Sequence, residues 1–292
     1  MNTKKALFTD LDDTLYSWID SFAPSFRAMV HVLHKKTQIE EEKLIESFRK
    51  VYNKRKTLDY SFVIQELDIW EELGWSKEKV ISDAVKDARG AVSRVRSHHF
   101  ALYNGVRDTL KWLKSENVFV IAYTNSPGYI AERRLKKLQI DTYIDCLAFF
   151  YDYEIPKDVP SDVQEARKSG KPKSSIRCKE RFDNLKKPDP RPIYSLIEKH
   201  HLDAAKTYLI GDSIENDVYM AQQAGIFDIW AQYGTINHNP KDIETIKRIS
   251  TISEQDRKRN LELREMTKPK FTVSNFAEIK DIIGSNQLSF NF

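Results

Sequence analysis

Three short stretches of this chain combine residue types that can do chemistry together. Asp10-Leu11-Asp12-Asp13-Thr14 sets two carboxylates one residue apart, after the short apolar run of Lys5–Asp10. At a strand's end such a pair can share one site with different jobs: Asp10 as metal ligand and nucleophile, Asp12 as general acid and base. The plain alternative is an acidic turn. Thr124-Asn125-Ser126, following Val118–Tyr123, offers a hydroxyl and backbone amides opening into a helix, an anion cradle or a simple turn. Gly211-Asp212-Ser213-Ile214-Glu215-Asn216-Asp217 follows Tyr208–Ile210. The glycine permits a tight turn, Asp212 can reach a hard cation and Asp217 can support it. Oxygen donors with room for water suit Mg²⁺ better than zinc. The alternative is an acidic helix N-terminus favoured by the helix dipole. Finally, Lys187-Pro188-Asp189-Pro190 supplies a fixed positive charge, or else only a proline-led helix start beside a solvated lysine.

The elements that must position these groups alternate. Lys5–Asp10 reads as a buried strand. Helices are expected at Gly105–Ser115, Tyr129–Leu138, Pro190–His201 and Asn216–Ala224, and strands at Val118–Thr124, Cys146–Phe150, Thr207–Gly211 and Phe227–Ala231. Strand–helix alternation implies a parallel sheet covered on both faces, with ligands beyond the carboxyl ends of its strands. Between Trp18 and Phe100 the period changes to a helical one: Phe22, Phe26, Met29, Val30 and Leu33, then Leu44, Ile45, Phe48, Val51 and Tyr52, then Phe62–Trp70 and Val80–Ala88. This predicts an insert of four helices. Tyr151–Lys187 is polar with a basic second half (Arg167, Lys168, Lys171, Lys173, Arg177, Lys179, Arg181). Asn237–Lys268 is polar and charge-dense, and Phe271–Ile283 resumes an apolar pattern.

Composition narrows the classes. Hydrophobic residues at 40% with aromatics at 11% exclude disorder, and the longest apolar runs are far below the ~20 residues of a membrane span. Asp10, Asp12 and Asp13 fall where a signal peptide would need its apolar stretch, so a cytoplasmic protein with no membrane partner is expected. The net charge of +4 is small, and the basic stretch alone would have to carry any nucleic-acid role; no such partner is expected. Cys146 and Cys178 can form one bridge at most. They belong to no CxxC pair and read as ordinary thiols in a reducing compartment. The seven histidines show no HExxH spacing, which leaves a zinc hydrolase without support.

Taken in order, DLDDT, YTN, KPDP and GDSIEND resemble the four motifs of the haloacid dehalogenase-like hydrolases. The resemblance covers about Lys5–Tyr16, Ala101–Phe150 and Lys187–Gly234. It implies an α/β fold: a Rossmann-like parallel-sheet core of residues 1–16 and 102–292, with a polar insertion at about 151–186 and an inserted α-helical cap domain at 17–101. The cap is similar to that of phosphoglycolate phosphatases. Asp10 would then be the nucleophile and Asp12 the acid and base, while Thr124, Asn125 and Lys187 would hold the phosphate. Mg²⁺ would be bound by Asp10, the Asp12 carbonyl and Asp212, with Asp217 in support. The implied activity is a Mg²⁺-dependent phosphatase that hydrolyses a small phosphorylated metabolite through an aspartyl-phosphate. A phosphomutase shares every core residue; a 2-haloacid dehalogenase has no need of Asp12; a non-catalytic binding protein would be expected to have lost a motif residue. Asp13 departs from the glycine common at its position. Tyr16 and Trp18 lie close enough to the first motif to touch a substrate. The oligomeric state stays open.

Overall fold

The computed structural model describes residues 3–156, 164–165 and 173–285. They divide into two compact units. The first holds the residues up to Tyr16, Leu102–Asn237 and from Glu254 on; the second holds Ser17–Ala101 and His238–Ser253.

The first unit is built on a seven-stranded sheet: β1 (Lys4–Thr9), β2 (Phe119–Thr124), β3 (Cys146–Phe149), β4 (Cys178–Arg181), β5 (Leu202–Gly211), β6 (Phe227–Ala231) and β7 (Phe271–Val273). Every neighbouring pair is parallel, in the order β4-β3-β2-β1-β5-β6-β7. Buried residues run on without alternation in β1, β2 and β3, the pattern of strands covered on both faces. Strands are added on one side of β1 as far as β4 and then on the other from β5 onward. The order therefore reverses at β1, whose Ala6–Thr9 pair with Phe119–Ala122 on one side and with Thr207–Ile210 on the other. A crevice beyond the carboxyl ends of β1, β2 and β5 follows from this topology.

The polar segment after β3 contains an unanticipated strand. β4 is an edge strand whose residues alternate between half-buried and exposed, and its Cys-Lys-Glu-Arg sequence carries too little apolar character to be read as a strand. Lys179 and Arg181 of the basic stretch sit on it, paired with Glu132 and Asp183. Arg167, Lys168 and Lys171 lie outside the described residues. The two cysteines also need correction: Cys146 and Cys178 are register partners on β3 and β4, with Cα atoms 4.4 Å apart, and are joined as a disulfide. Spacing in sequence carries no information about that adjacency.

In the second unit, helix Ile19–Thr37 buries Phe22, Phe26, Met29, Val30 and Leu33 as one stripe, and helix Glu41–Arg55 buries Leu44, Phe48, Val51 and Tyr52. Phe26 meets Phe48 edge to face at 5.1 Å between ring centroids. The third expected helix is instead two single turns, Val63–Glu66 and Ile69–Glu72, separated where Leu67 adopts an extended backbone. A π-helical turn at Val80–Val85 runs into helix Lys86–His99. Helix Pro240–Ile249 belongs to the same unit, although its sequence reads as polar. It is capped by Asn239, and Asp242 pairs with Arg27 at 2.6 Å. Trp18 stacks on Phe22 in this unit, while Tyr16 in the first is fully buried.

Among the described residues, no helix is long and apolar enough to cross a membrane. Phe48 is wholly buried, so Phe48→Ala is expected to cost ~3–5 kcal/mol. The exposed Arg49→Ala should stay within ~0.5 kcal/mol. Urea unfolding followed by tryptophan fluorescence and far-UV circular dichroism checks both.

Candidate active site

Asp10 is the residue immediately beyond β1, and its N–H donates to the Ile210 carbonyl of β5 at 2.9 Å. That bond fixes the start of the Asp10–Thr14 turn against the neighbouring strand. The buried Lys187 ammonium donates to Asp10 Oδ1 at 2.5 Å and to Asp217 Oδ1 at 2.7 Å. Its cation also lies 5.4 Å from the centroid of the Tyr123 ring. Asp217 sits on the π-helical turn Ile214–Val218, and its other oxygen accepts from the Ser213 N–H at 3.1 Å. The Gly211 backbone passes so close to this carboxyl group that an added Cβ would overlap it. Glycine is needed there for close approach.

Asp10, Asp212 and Asp217 each turn one carboxylate oxygen into a common space, the three atoms within 4.8 Å of one another. Burial pushes the Asp10 carboxyl up to about 7; the Lys187 charge opposes this, and Asp217 and Asp12 reinforce it. Burial also raises Asp212 well above the carboxylate range, with Asp10, Asp217 and Asp13 adding to the shift. For Lys187, burial works against the charge, but Asp10 and Asp217 outweigh it and hold the ammonium above its ordinary value. Three carboxylates thus face one ammonium. The deficit of positive charge and the all-oxygen donor set fit a hard divalent cation.

Asp12 points elsewhere. Its Oδ2 accepts from the Ser126 hydroxyl at 2.6 Å, and Arg134 Nη1 donates to Oδ1 at 3.0 Å and to Oδ2 at 3.2 Å. The two aspartates of the Asp-x-Asp pair therefore occupy different electrostatic settings, one beside a lysine and acids, the other beside an arginine and a hydroxyl. Thr124 is buried at the end of β2, where its hydroxyl accepts from the Ser126 N–H at 3.0 Å. Asn125 is exposed, and its Oδ1 accepts from the Lys187 N–H at 3.3 Å, tying the turn after β2 to the lysine-bearing segment.

Sequence reasoning missed Arg134 and Gly234, and it singled out Ser126 within the turn after β2 without its bond to Asp12. Arg134 lies on helix Gly128–Lys137, on the buried side with Ala131 and Leu135. That facing of the Arg133-Arg134 pair is the signal that could have singled it out. Gly234 packs against the Asp13 carbonyl with no room for a Cβ, and the neighbouring Tyr233 hydroxyl donates to the Thr14 carbonyl at 2.6 Å. Both hold the turn that carries the aspartates. Asp13 has a φ of +56°, a left-handed conformation that glycine or aspartate adopts and β-branched residues resist.

Asp13→Gly should therefore keep thermal stability close to the parent, whereas Asp13→Val should lower it by ~1–3 kcal/mol in calorimetry. Gly211→Ala should displace the Asp217 carboxylate and weaken divalent-cation binding in isothermal titration, with the chain still folded.

Comparison with known proteins bears on what this crevice does. A family model described as a haloacid dehalogenase-like hydrolase matches residues 4–225. A curated phosphoglycolate phosphatase of Pseudomonas fluorescens is 27% identical over 143 residues, 49% of this chain and 41% of that protein. Another, of Photobacterium profundum, is 29% identical over 133 residues, 46% of this chain and 44% of that protein. The chain thus spans less than half the length of these curated relatives. Among solved structures, a 2-haloacid dehalogenase from Pseudomonas syringae pv. Tomato DC3000 superposes with a TM-score of 0.55 at 17% identity, covering 97% of this chain and 99% of that one. A HAD phosphatase from Thermococcus onnurineus does so with 0.54 at 16% identity, covering 96% and 98%. Because the two neighbours bear the names of different chemistries, the likeness speaks for the fold alone.

Proposed function

The chain belongs to the haloacid dehalogenase-like hydrolases, and from that premise we propose that it is a Mg²⁺-dependent phosphatase acting on a small phosphorylated metabolite through an aspartyl-phosphate. One observation carries the reading: Asp10 and Asp12 stand two residues apart in sequence yet in separate charge environments, one held by Lys187, the other by Ser126 and Arg134. A nucleophile and a proton carrier need such a division.

In the first half of the reaction an Asp10 carboxylate oxygen forms a bond to phosphorus while the bond to the leaving oxygen breaks, and Asp12 gives that oxygen a proton. In the second half Asp12 takes a proton from water, the water oxygen bonds to phosphorus, and the Asp10–phosphorus bond breaks to release inorganic phosphate and regenerate the carboxylate. Lys187 offsets the negative charge that gathers as two anions meet, and Thr124 with the Asn125 amide cradles the phosphoryl oxygens. Mg²⁺, held by Asp10, the Asp12 carbonyl and Asp212 with Asp217 in support, would supply the remaining charge neutralisation. Ser126 and Arg134 position Asp12. Because the arginine favours the charged carboxylate, it suits the base form that activates water, and its contact must loosen when Asp12 carries a proton. The dehalogenase reading leaves this arrangement without a use, since it requires no proton carrier at position 12. The helical unit of Ser17–Ala101 and His238–Ser253 serves in this reading as the cap that selects the substrate, and the matched curated relatives point to small phosphorylated acids as the first compounds to try.

The experiment is phosphate release from a panel containing phosphoglycolate, sugar phosphates, nucleotides and an aryl phosphate, with Mg²⁺ and with EDTA. Turnover should require the metal and fall by at least ~10³-fold in Asp10→Asn. In Arg134→Met, kcat should drop ~10–100-fold with KM little changed, since the arginine acts on the proton carrier and not on the substrate. Metal-independent turnover, or turnover that survives Asp10→Asn, would overturn the proposal.

A further inference from the structure

A second cluster of chemically active side chains lies away from the aspartates. Cys146 opens β3 and Cys178 opens β4, so both stand at the amino ends of their strands, opposite to the end that carries Asp10. Near them Glu180 follows on β4, and His200 ends helix Arg191–His200. One ligand atom from each of the four residues lies within 4.8 Å of all the others.

Three features distinguish this group from a disulfide placed only to staple two strands. First, an imidazole and a carboxylate are aimed at one sulfur: His200 Nε2 lies 3.6 Å and Glu180 Oε1 3.5 Å from Cys178 Sγ. With Zn–S at ~2.3 Å and Zn–N or Zn–O at ~2.0–2.2 Å, tetrahedral ligands of these kinds stand roughly 3.5–3.7 Å apart, which the two observed distances match. Second, two of the ligands are held by neighbouring side chains. The His200 ring packs on Phe119 with 4.9 Å between centroids, and Lys199 Nζ donates to Glu180 Oε1 at 2.6 Å. Support of this kind fixes the orientation of metal ligands. Third, the charges balance. Two thiolates and a carboxylate around Zn²⁺ leave one negative charge, which Lys199 offsets.

We propose that in its dithiol form this cluster, Cys146, Cys178 and His200 with Glu180 in the fourth position, binds one zinc ion. The site is structural: its donors come from both sides of the segment between β3 and β4, and it ties the edge strand to the sheet. The disulfide is then the metal-free, oxidised state of the same site. Two equivalents of a monothiol reductant deliver two electrons and two protons to the S–S bond, giving two Cys thiols and one external disulfide. Zinc binding then releases the two thiol protons to solvent with no further electron transfer. The cluster lies at the opposite end of the sheet from Asp10 and shares no residue with it.

The test uses the full chain. Reduced protein is mixed with one equivalent of Zn²⁺, desalted without reductant, and assayed for zinc by elemental analysis and for thiols with Ellman's reagent before and after a chelator. About one zinc per chain should be retained, with two thiols that react only once the metal is removed. Co²⁺ in place of zinc should give thiolate-to-cobalt charge-transfer and tetrahedral d–d bands. Cys178→Ser and His200→Ala should lose these bands. The oxidised parent chain, identical in sequence and therefore free of folding objections, should lose them as well. Freely reacting thiols with no retained zinc, or zinc that persists unchanged in the oxidised chain and in His200→Ala, would overturn the proposal. The second result would assign the zinc to the aspartate cluster instead.

Discussion

The ammonium of Lys187, buried between Asp10 and Asp217, is the contact on which the rest of the first unit's architecture converges. A buried carboxylate without a partner would take up a proton or force the chain apart, and here three carboxylates are gathered within 4.8 Å. Lys187 makes that gathering tolerable, and it does so from the turn before helix Arg191–His200, far from both aspartates in sequence. Each partner is in turn held by backbone: Asp10 through the Ile210 carbonyl, Asp217 through the Ser213 N–H, and Lys187 through the Asn125 side chain. Three strand ends are thus tied to one charge.

The same contact leaves the site short of positive charge. One ammonium among three acids balances only in part, and burial raises the cost of each extra negative charge. The arrangement favours a protonated carboxyl or a bound cation, and a phosphoryl group arriving with its own negative charge sharpens that demand. Asp12 adds its charge to the shift at Asp10, while its own carboxylate accepts from Arg134 and Ser126. Close backbone approaches at Gly211 and Gly234 allow the aspartate turn and the Asp217 turn to sit this near one another.

Much of this was legible in the residues. The four polar stretches, their order and their placement after apolar runs pointed to an α/β sheet with chemistry at its strand ends, because a fully buried parallel strand is a run of apolar residues and a stop in that run is visible. The positive φ of Asp13 also agrees with its residue type, since aspartate tolerates the left-handed region that glycine otherwise fills. β4 was not legible, because an edge strand needs no continuous apolar run. Helix Pro240–Ile249 was also missed, for its few apolar residues, Ile243, Ile246 and Ile249, stand among charges that find partners on other elements of the second unit. Phe62–Trp70 failed in the opposite sense: apolar spacing that could suit a helix was divided into two turns by one extended residue.

By itself, then, the sequence determined which groups are available and on what kind of element each would stand: carboxylates after β1 and β5, a hydroxyl at the end of β2, a lysine before a helix. The tertiary structure alone decided which of them meet. It paired Lys187 with both Asp10 and Asp217, gave Asp12 to an arginine that no motif marks, and brought Cys146, Cys178, Glu180 and His200 to one edge of the sheet. The physical reason is that burial and alternation are properties of neighbouring residues, which periodicity records. The partner of a charge is set by the order in which strands lie side by side, and a linear spacing does not contain that order.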